Sequence, residues 1–147
     1  MTPKWLAAAA LLAATAVGWI VTSGSASTGP ATIRITDRQM QDTNLGDGVG
    51  AREIVRSTLY EHDGGKHAIG SSAMVCTYVA PRERSCTTTF TLPRGTIVAT
   101  GVLSTRLLYE LAIVGGTGLY DNASGTMLDT VTRLNPRRDL LLFRLTG

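Results

Sequence analysis

The chain has 147 residues, 14 of them basic and 11 acidic, for a formal net charge of +3. That length holds one domain with a core of its own. The arginines are scattered, with Arg82/Arg84 and Arg137/Arg138 as local pairs, so the concentrated basic stripe of a nucleic-acid binder is missing.

Lys4 precedes an uncharged run over residues 5–21, followed by small residues over 22–28. This is the pattern of a secretory signal, with cleavage expected after Ala26 or Ser27. It divides the chain into a leader, residues 1–26, and a domain, residues 27–147. An uncleaved signal anchor is the competing reading, but the run is short for a spanning helix. The expected location is extracellular or periplasmic, with no membrane attachment after cleavage. Both tryptophans, Trp5 and Trp19, leave with the leader, and the domain is poor in aromatics.

From residue 31 onward apolar and polar residues alternate, and Gly or Pro interrupts the pattern at regular intervals. Period-two alternation predicts strands at residues 32–36, 52–61, 67–79, 85–92, 96–103, 107–114, 125–132 and 139–146. Residues 37–50, polar and glycine-bearing, read as a long loop, with a short helix over 37–43 as an alternative. Asp63-Gly64-Gly65, Pro93-Arg94-Gly95 and Asn135-Pro136 are turn signals. Strands in sequence joined by short turns, without helical crossovers, predict an all-β antiparallel meander. An eight-stranded antiparallel β-barrel removes exposed edges; a two-sheet sandwich is the competing architecture.

Cys76 and Cys86 are the two cysteines. In an exported chain a disulfide is the default over a thiol nucleophile or metal ligand. A hairpin register with the two directly opposite brings their Cβ atoms within bridging range. If Cys76 points inward, so do Met74, Tyr78, Thr88, Phe90 and Leu92, while Thr87, Thr89 and Thr91 face outward. On the second strand Glu53, Val55, Ser57 and Leu59 share a face by the same parity.

Inward polar groups are the natural chemistry. Glu53, Ser57 and Tyr78 are candidate catalytic residues, one orienting a water while another fixes a substrate oxygen. Val55, Leu59, Met74, Phe90 and Tyr109 are candidate ligand-binding residues. Glu61, His62, Asp63 and His67 could ligate a metal, but alternation scatters them around a hairpin, so no metal is expected. Asn122-Ala123-Ser124 fits a glycosylation acceptor, and a turn asparagine is the simpler reading.

The densest signal lies where an apolar run, Leu111 to Val114, enters Gly115, Gly116 and Gly118, and the next strand leaves through Gly125. A phosphate-binding loop is excluded, because no helical pattern follows and the P-loop lysine is absent. A glycine corner between two strands explains it. The same segment, with Tyr120 two residues after Gly118, resembles the signature of the allene oxide cyclase and dirigent barrel proteins. Leu45-Gly46-Asp47-Gly48-Val49 with Leu59-Tyr60, and residues 69–79 around Cys76, are similar to the second and third strand regions of the cyclases.

The resemblance implies an eight-stranded barrel with an apolar cavity, a dimer or trimer, and catalysis without metal or organic cofactor. It implies a small apolar ligand or substrate whose cyclisation or isomerisation is guided by orientation and exclusion of water. The chain departs from the plant cyclases where they carry a first-strand carboxylate, offering Ile33, Arg34, Ile35 and Thr36 there. Their second-strand asparagine falls near Ser57, and their third-strand cysteine matches Cys76, which Cys86 can oxidise. Cyclisation of a plant oxylipin is therefore not the expected reaction. The rival function is a non-catalytic lipocalin-like carrier or interaction module. A lumen closed by Met74, Phe90, Leu92 and Leu111 would favour the rival; a roomy cavity with convergent polar groups would favour the enzyme.

Overall fold

The computed structural model describes residues 31–62 and 66–146. The leader and the Asp63-Gly64-Gly65 turn lie outside the described residues. Alternation at period two produces eight strands: β1 Ala31–Leu45, β2 Arg52–Glu61, β3 Ala68–Ala80, β4 Glu83–Leu92, β5 Gly95–Leu103, β6 Leu108–Gly116, β7 Gly125–Leu134 and β8 Arg137–Leu145. Each pairs antiparallel with its sequence neighbour, and β1 pairs with β8, so the sheet closes into a barrel rather than splitting into a sandwich. Closure and core are complete within residues 31–146, so the barrel needs no other segment to fold.

One element corrects the sequence reading. Residues 37–45, expected as loop or helix, continue β1 as strand. Their polarity misleads because residues 35–38 pair with both β8 and β2, whereas beyond Arg38 β1 pairs with β2 alone. A register shift between Gln39 and Gln41 extrudes Met40 to solvent. The bulge leaves the ladder otherwise intact, so backbone pairing carries a segment whose side chains supply little burial.

The inward positions of all strands meet in one core, in which Phe90 and Phe143 pack edge-to-face with ring centroids 4.9 Å apart. Cys76 and Cys86 stand directly opposite in the β3–β4 register and form a disulfide, with Cα atoms 4.0 Å apart. The bond closes a loop with a sequence separation of 10. Converting both cysteines to alanine should lower stability by about 2–3 kcal/mol in the chain-entropy model, read from urea unfolding midpoints. An unchanged midpoint would show that the hairpin alone holds β3 to β4.

The glycine corner closes one end of the barrel. Gly115 and Gly118 adopt φ of 152° and 65°, and the chain passes through a short 3-10 turn, Gly118–Tyr120, that buries Tyr120 and brings Ala123 under the core. A Cβ on Gly116 would collide with the carbonyl oxygens of Thr96 and Tyr120. Gly116→Ala should therefore cost about 3 kcal/mol, measured by the same unfolding assay. Asn122 has φ of 60°, the left-handed conformation of a turn asparagine.

Antiparallel order puts the β1–β2, β3–β4, β5–β6 and β7–β8 connections together at the other end. That end is open.

Candidate active site

A cleft enters the barrel between those four connections. Its walls carry Asp37, Ser57, Ser72, Arg84, Tyr109, Asp129, Arg137 and Asp139, and its floor is Phe90, Met127 and Leu141. Below the floor the lumen is filled by Ile35, Leu59, Ile97, Leu111 and Phe143. The space open to the centre of a water-sized sphere is about 30 Å³. A water needs about 10–15 Å³ on this measure, so the cleft admits a couple of waters or the reactive end of a larger molecule.

Strand register builds a polar belt around the inner wall. Tyr109 on β6 pairs with Asp129 on β7, Asp139 on β8 pairs with Asp37 on β1, and Ser57 on β2 pairs with Ser72 on β3. The Tyr109 hydroxyl donates to Asp129 Oδ2 at 2.6 Å, and the Ser72 hydroxyl donates to Asp37 Oδ2 at 3.2 Å. Asp139 accepts from Arg137 Nε at 2.9 Å, and Arg137 also donates to the Arg106 carbonyl at 2.9 Å. Oδ1 of Asp37 and Oδ1 of Asp129 are buried and have no protein partner.

These carboxyls are short of counter-charge. Burial pushes Asp37 up to about 7, with the Asp139 charge adding to it and the Ser57 and Ser72 hydroxyls opposing. Burial likewise pushes Asp129 up to about 7, with Asp139 adding and the Tyr109 hydrogen bond opposing. Burial raises Asp139 too, but its Arg137 partner holds it back. The Tyr109 phenol is raised above its ordinary value by burial and by the adjacent Asp129 charge, so it stays protonated and acts only as a donor. Around neutrality, Asp37 and Asp129 therefore sit between acid and base forms.

A second cluster forms the upper wall. Glu53, 1% exposed, accepts from the buried Arg84 through Oε2 and from Arg106 through Oε1 at 3.0 Å. Arg106 also donates to the Tyr78 hydroxyl at 2.8 Å. Glu53 is the direct β2–β3 partner of Cys76, and Arg84 lies two residues before Cys86, so the disulfide fixes the two strands that carry the ion pair.

Of the residues singled out from sequence, Ser57, Val55, Met74, Phe90 and Tyr109 line the cleft. Leu59 is fully buried below it, and Tyr78 stands at the rim, bonded to Arg106. Glu53 faces inward with both oxygens engaged by guanidiniums, so it serves as their counter-ion. Sequence reasoning passed over Asp37, Asp129 and Asp139. Each sits in the apolar phase of its strand, with Ile35, with Met127, and with Leu141 and Phe143. An acid in phase with core residues was the available signal.

No family model and no curated protein matches the sequence. Solved structures do. A pyocyanin demethylase is similar at 24% identity over 79% of this chain and 100% of its own, with a TM-score of 0.66. A Diels-Alderase from Streptomyces koyangensis is similar at 16% identity over 84% of this chain and 72% of its own, with a TM-score of 0.60. A pterocarpan synthase dirigent protein is similar at 11% identity over 93% of this chain and 94% of its own, with a TM-score of 0.64. Likeness at these identities establishes the fold: the chain shares the barrel architecture of these proteins.

Proposed function

We propose that this barrel binds a small, largely apolar molecule at its cleft and guides a cyclisation or isomerisation with its own side chains. The observation that carries this reading is the pair of buried aspartates at one cleft, each with a free oxygen and each raised to about 7. Asp37, Asp129, Asp139 and Glu53 face Arg84, Arg106 and Arg137, so one proton on Asp37 or Asp129 makes the set neutral. The protonated carboxyl then donates to a substrate oxygen, and the ionised one accepts a proton from the substrate. Tyr109 and the two serines hold the carboxyls in place, and the apolar floor excludes water. The barrel folds of a demethylase, a Diels-Alderase and a dirigent protein, each named for action on small molecules, support the class.

Export belongs to the proposal and is supported by the disulfide, which persists in oxidising compartments. So does a homo-oligomer, supported by an uncharged patch on the outer face of β3–β5 made of Ala73, Thr87, Thr89, Val98 and Thr100. Native mass spectrometry of the protein recovered from its producing cells reads ligand and subunit count together. A retained apolar ligand that is lost in Phe90→Trp, which fills the cleft floor, supports the reading. If neither protein holds a ligand, the alternative, an interaction module, is favoured. The filled lower lumen, with Phe90, Leu92 and Leu111 in the core, is the observation on that side.

A further inference from the structure

The open end of the barrel carries more apolar surface than a cleft requires. The β1–β2 connection exposes Leu45 by 51% and Val49 by 65%, β3 ends at Val79 exposed by 48%, and the β5–β6 loop exposes Leu107 by 60%. The end of β7 exposes Leu134 by 72%. All four connections at this end thus present an apolar tip. At the opposite end only Val114, near the end of β6, is comparable among the described residues. Apolar residues scattered singly are ordinary, whereas a ring of them around an opening marks a surface with a partner.

The charge at the tips is mixed, and one side of the rim is basic. Arg52, Arg82 and Arg133 flank the tips against Asp42, Asp47 and Glu83, while Arg106 is held by Glu53. Just below the β7–β8 turn, Arg133, Arg138 and Arg38 stand directly opposite one another on three adjacent strands. Among the described residues the ion pairs use Arg84, Arg106 and Arg137, and leave this row without a carboxylate. Like charges directly opposite cost stability, and an anionic surface facing them removes the cost.

We infer that the open rim docks on a lipid surface rich in anionic headgroups. The five apolar tips enter the headgroup boundary and the arginines meet the phosphates. Among the described residues no helix is long and apolar enough to cross a membrane, so this contact is peripheral. It departs from the expectation of no membrane contact after leader cleavage. Resting on the small-molecule reading above, it also names the source of the substrate: a lipid-soluble molecule that passes from the bilayer into the cleft without crossing water.

The test is sedimentation of the barrel, residues 28–147, with vesicles of phosphatidylcholine alone or mixed equally with phosphatidylglycerol. The barrel should sediment with the mixed vesicles and remain in solution with the neutral ones. Val49→Ser with Leu134→Ser should lower partitioning by about tenfold. Arg82→Gln with Arg133→Gln should lower it by a similar factor. Val114→Ser, at the opposite end of the barrel, should leave it unchanged. No sedimentation with mixed vesicles, or an equal loss in the Val114→Ser variant, overturns the inference. So does an oligomer that the rim variant disperses without altering vesicle binding, because a second copy then covers the ring. The two readings fail separately: a retained ligand without vesicle binding removes only the docking, and vesicle binding without any ligand removes only the cleft function.

Discussion

Asp129→Asn should make the barrel more stable at about pH 8, by about 2–3 kcal/mol, and leave it little changed near pH 4. The sign follows from where the proton sits. Below the ordinary aspartate value of 3.8 the carboxyl is protonated in folded and unfolded chains alike. Between 3.8 and about 7 the folded protein keeps a proton that the unfolded chain has released, so stability falls as pH rises. Above about 7 the full cost of a buried, under-compensated carboxylate is present. An asparagine carries no such cost, and its carbonyl oxygen still accepts from Tyr109. Part of the gain is offset by the buried amide's own desolvation. Asp37→Asn should behave alike, since the Ser57 and Ser72 hydroxyls can turn to accept from an amide. Urea unfolding across this pH range is the measurement. A wild-type stability that rises from pH 5 to pH 8 would contradict the assignment. The same variants should lose about 100-fold or more of any turnover, because a fixed amide cannot exchange a proton. A gain in stability with a loss of function is the signature of a site held under strain for its chemistry.

The second large effect concerns the upper wall. Glu53→Gln should destabilise the barrel by about 3–5 kcal/mol, because Arg84, 5% exposed, is left as a buried charge without its carboxylate. It also releases Arg106, whose guanidinium ties the β5–β6 loop to Glu53 and to the Tyr78 hydroxyl. Replacing both members, Glu53→Leu with Arg84→Met, should recover most of the loss, since two apolar groups need no pairing. Denaturant midpoints for the single and double variants decide it. Equal losses in both would mean that packing around the disulfide, not charge, is what the pair supplies. The recovered double variant still lacks the basic wall of the cleft, so it separates stability from function.

Much of this architecture was legible in the residues. Alternation over residues 85–92 places Cys86, Thr88, Phe90 and Leu92 inside, and the structure buries all four, with Arg84 beside them. The opposite register of Cys76 and Cys86 needed only a short hairpin. The density of glycine after Leu111 marked a corner, and that corner is the closed end of the barrel. These features are local, so a few neighbouring residues determine them.

What the residues did not disclose is height along the barrel axis. Closure through β1 and β8 sets Asp37 opposite Asp139, and the staggered register then brings Asp129 and Tyr109 to the same level. No short window of sequence carries that register, because it depends on the shear of the whole closed sheet. For the same reason residues 37–45 read as loop, although pairing to β2 makes them strand. The residues alone determined that there are eight strands and which side chains over residues 85–92 face inward. Only the tertiary structure decided which acids share a cleft, because the low-dielectric site that shifts them exists only once the barrel has closed.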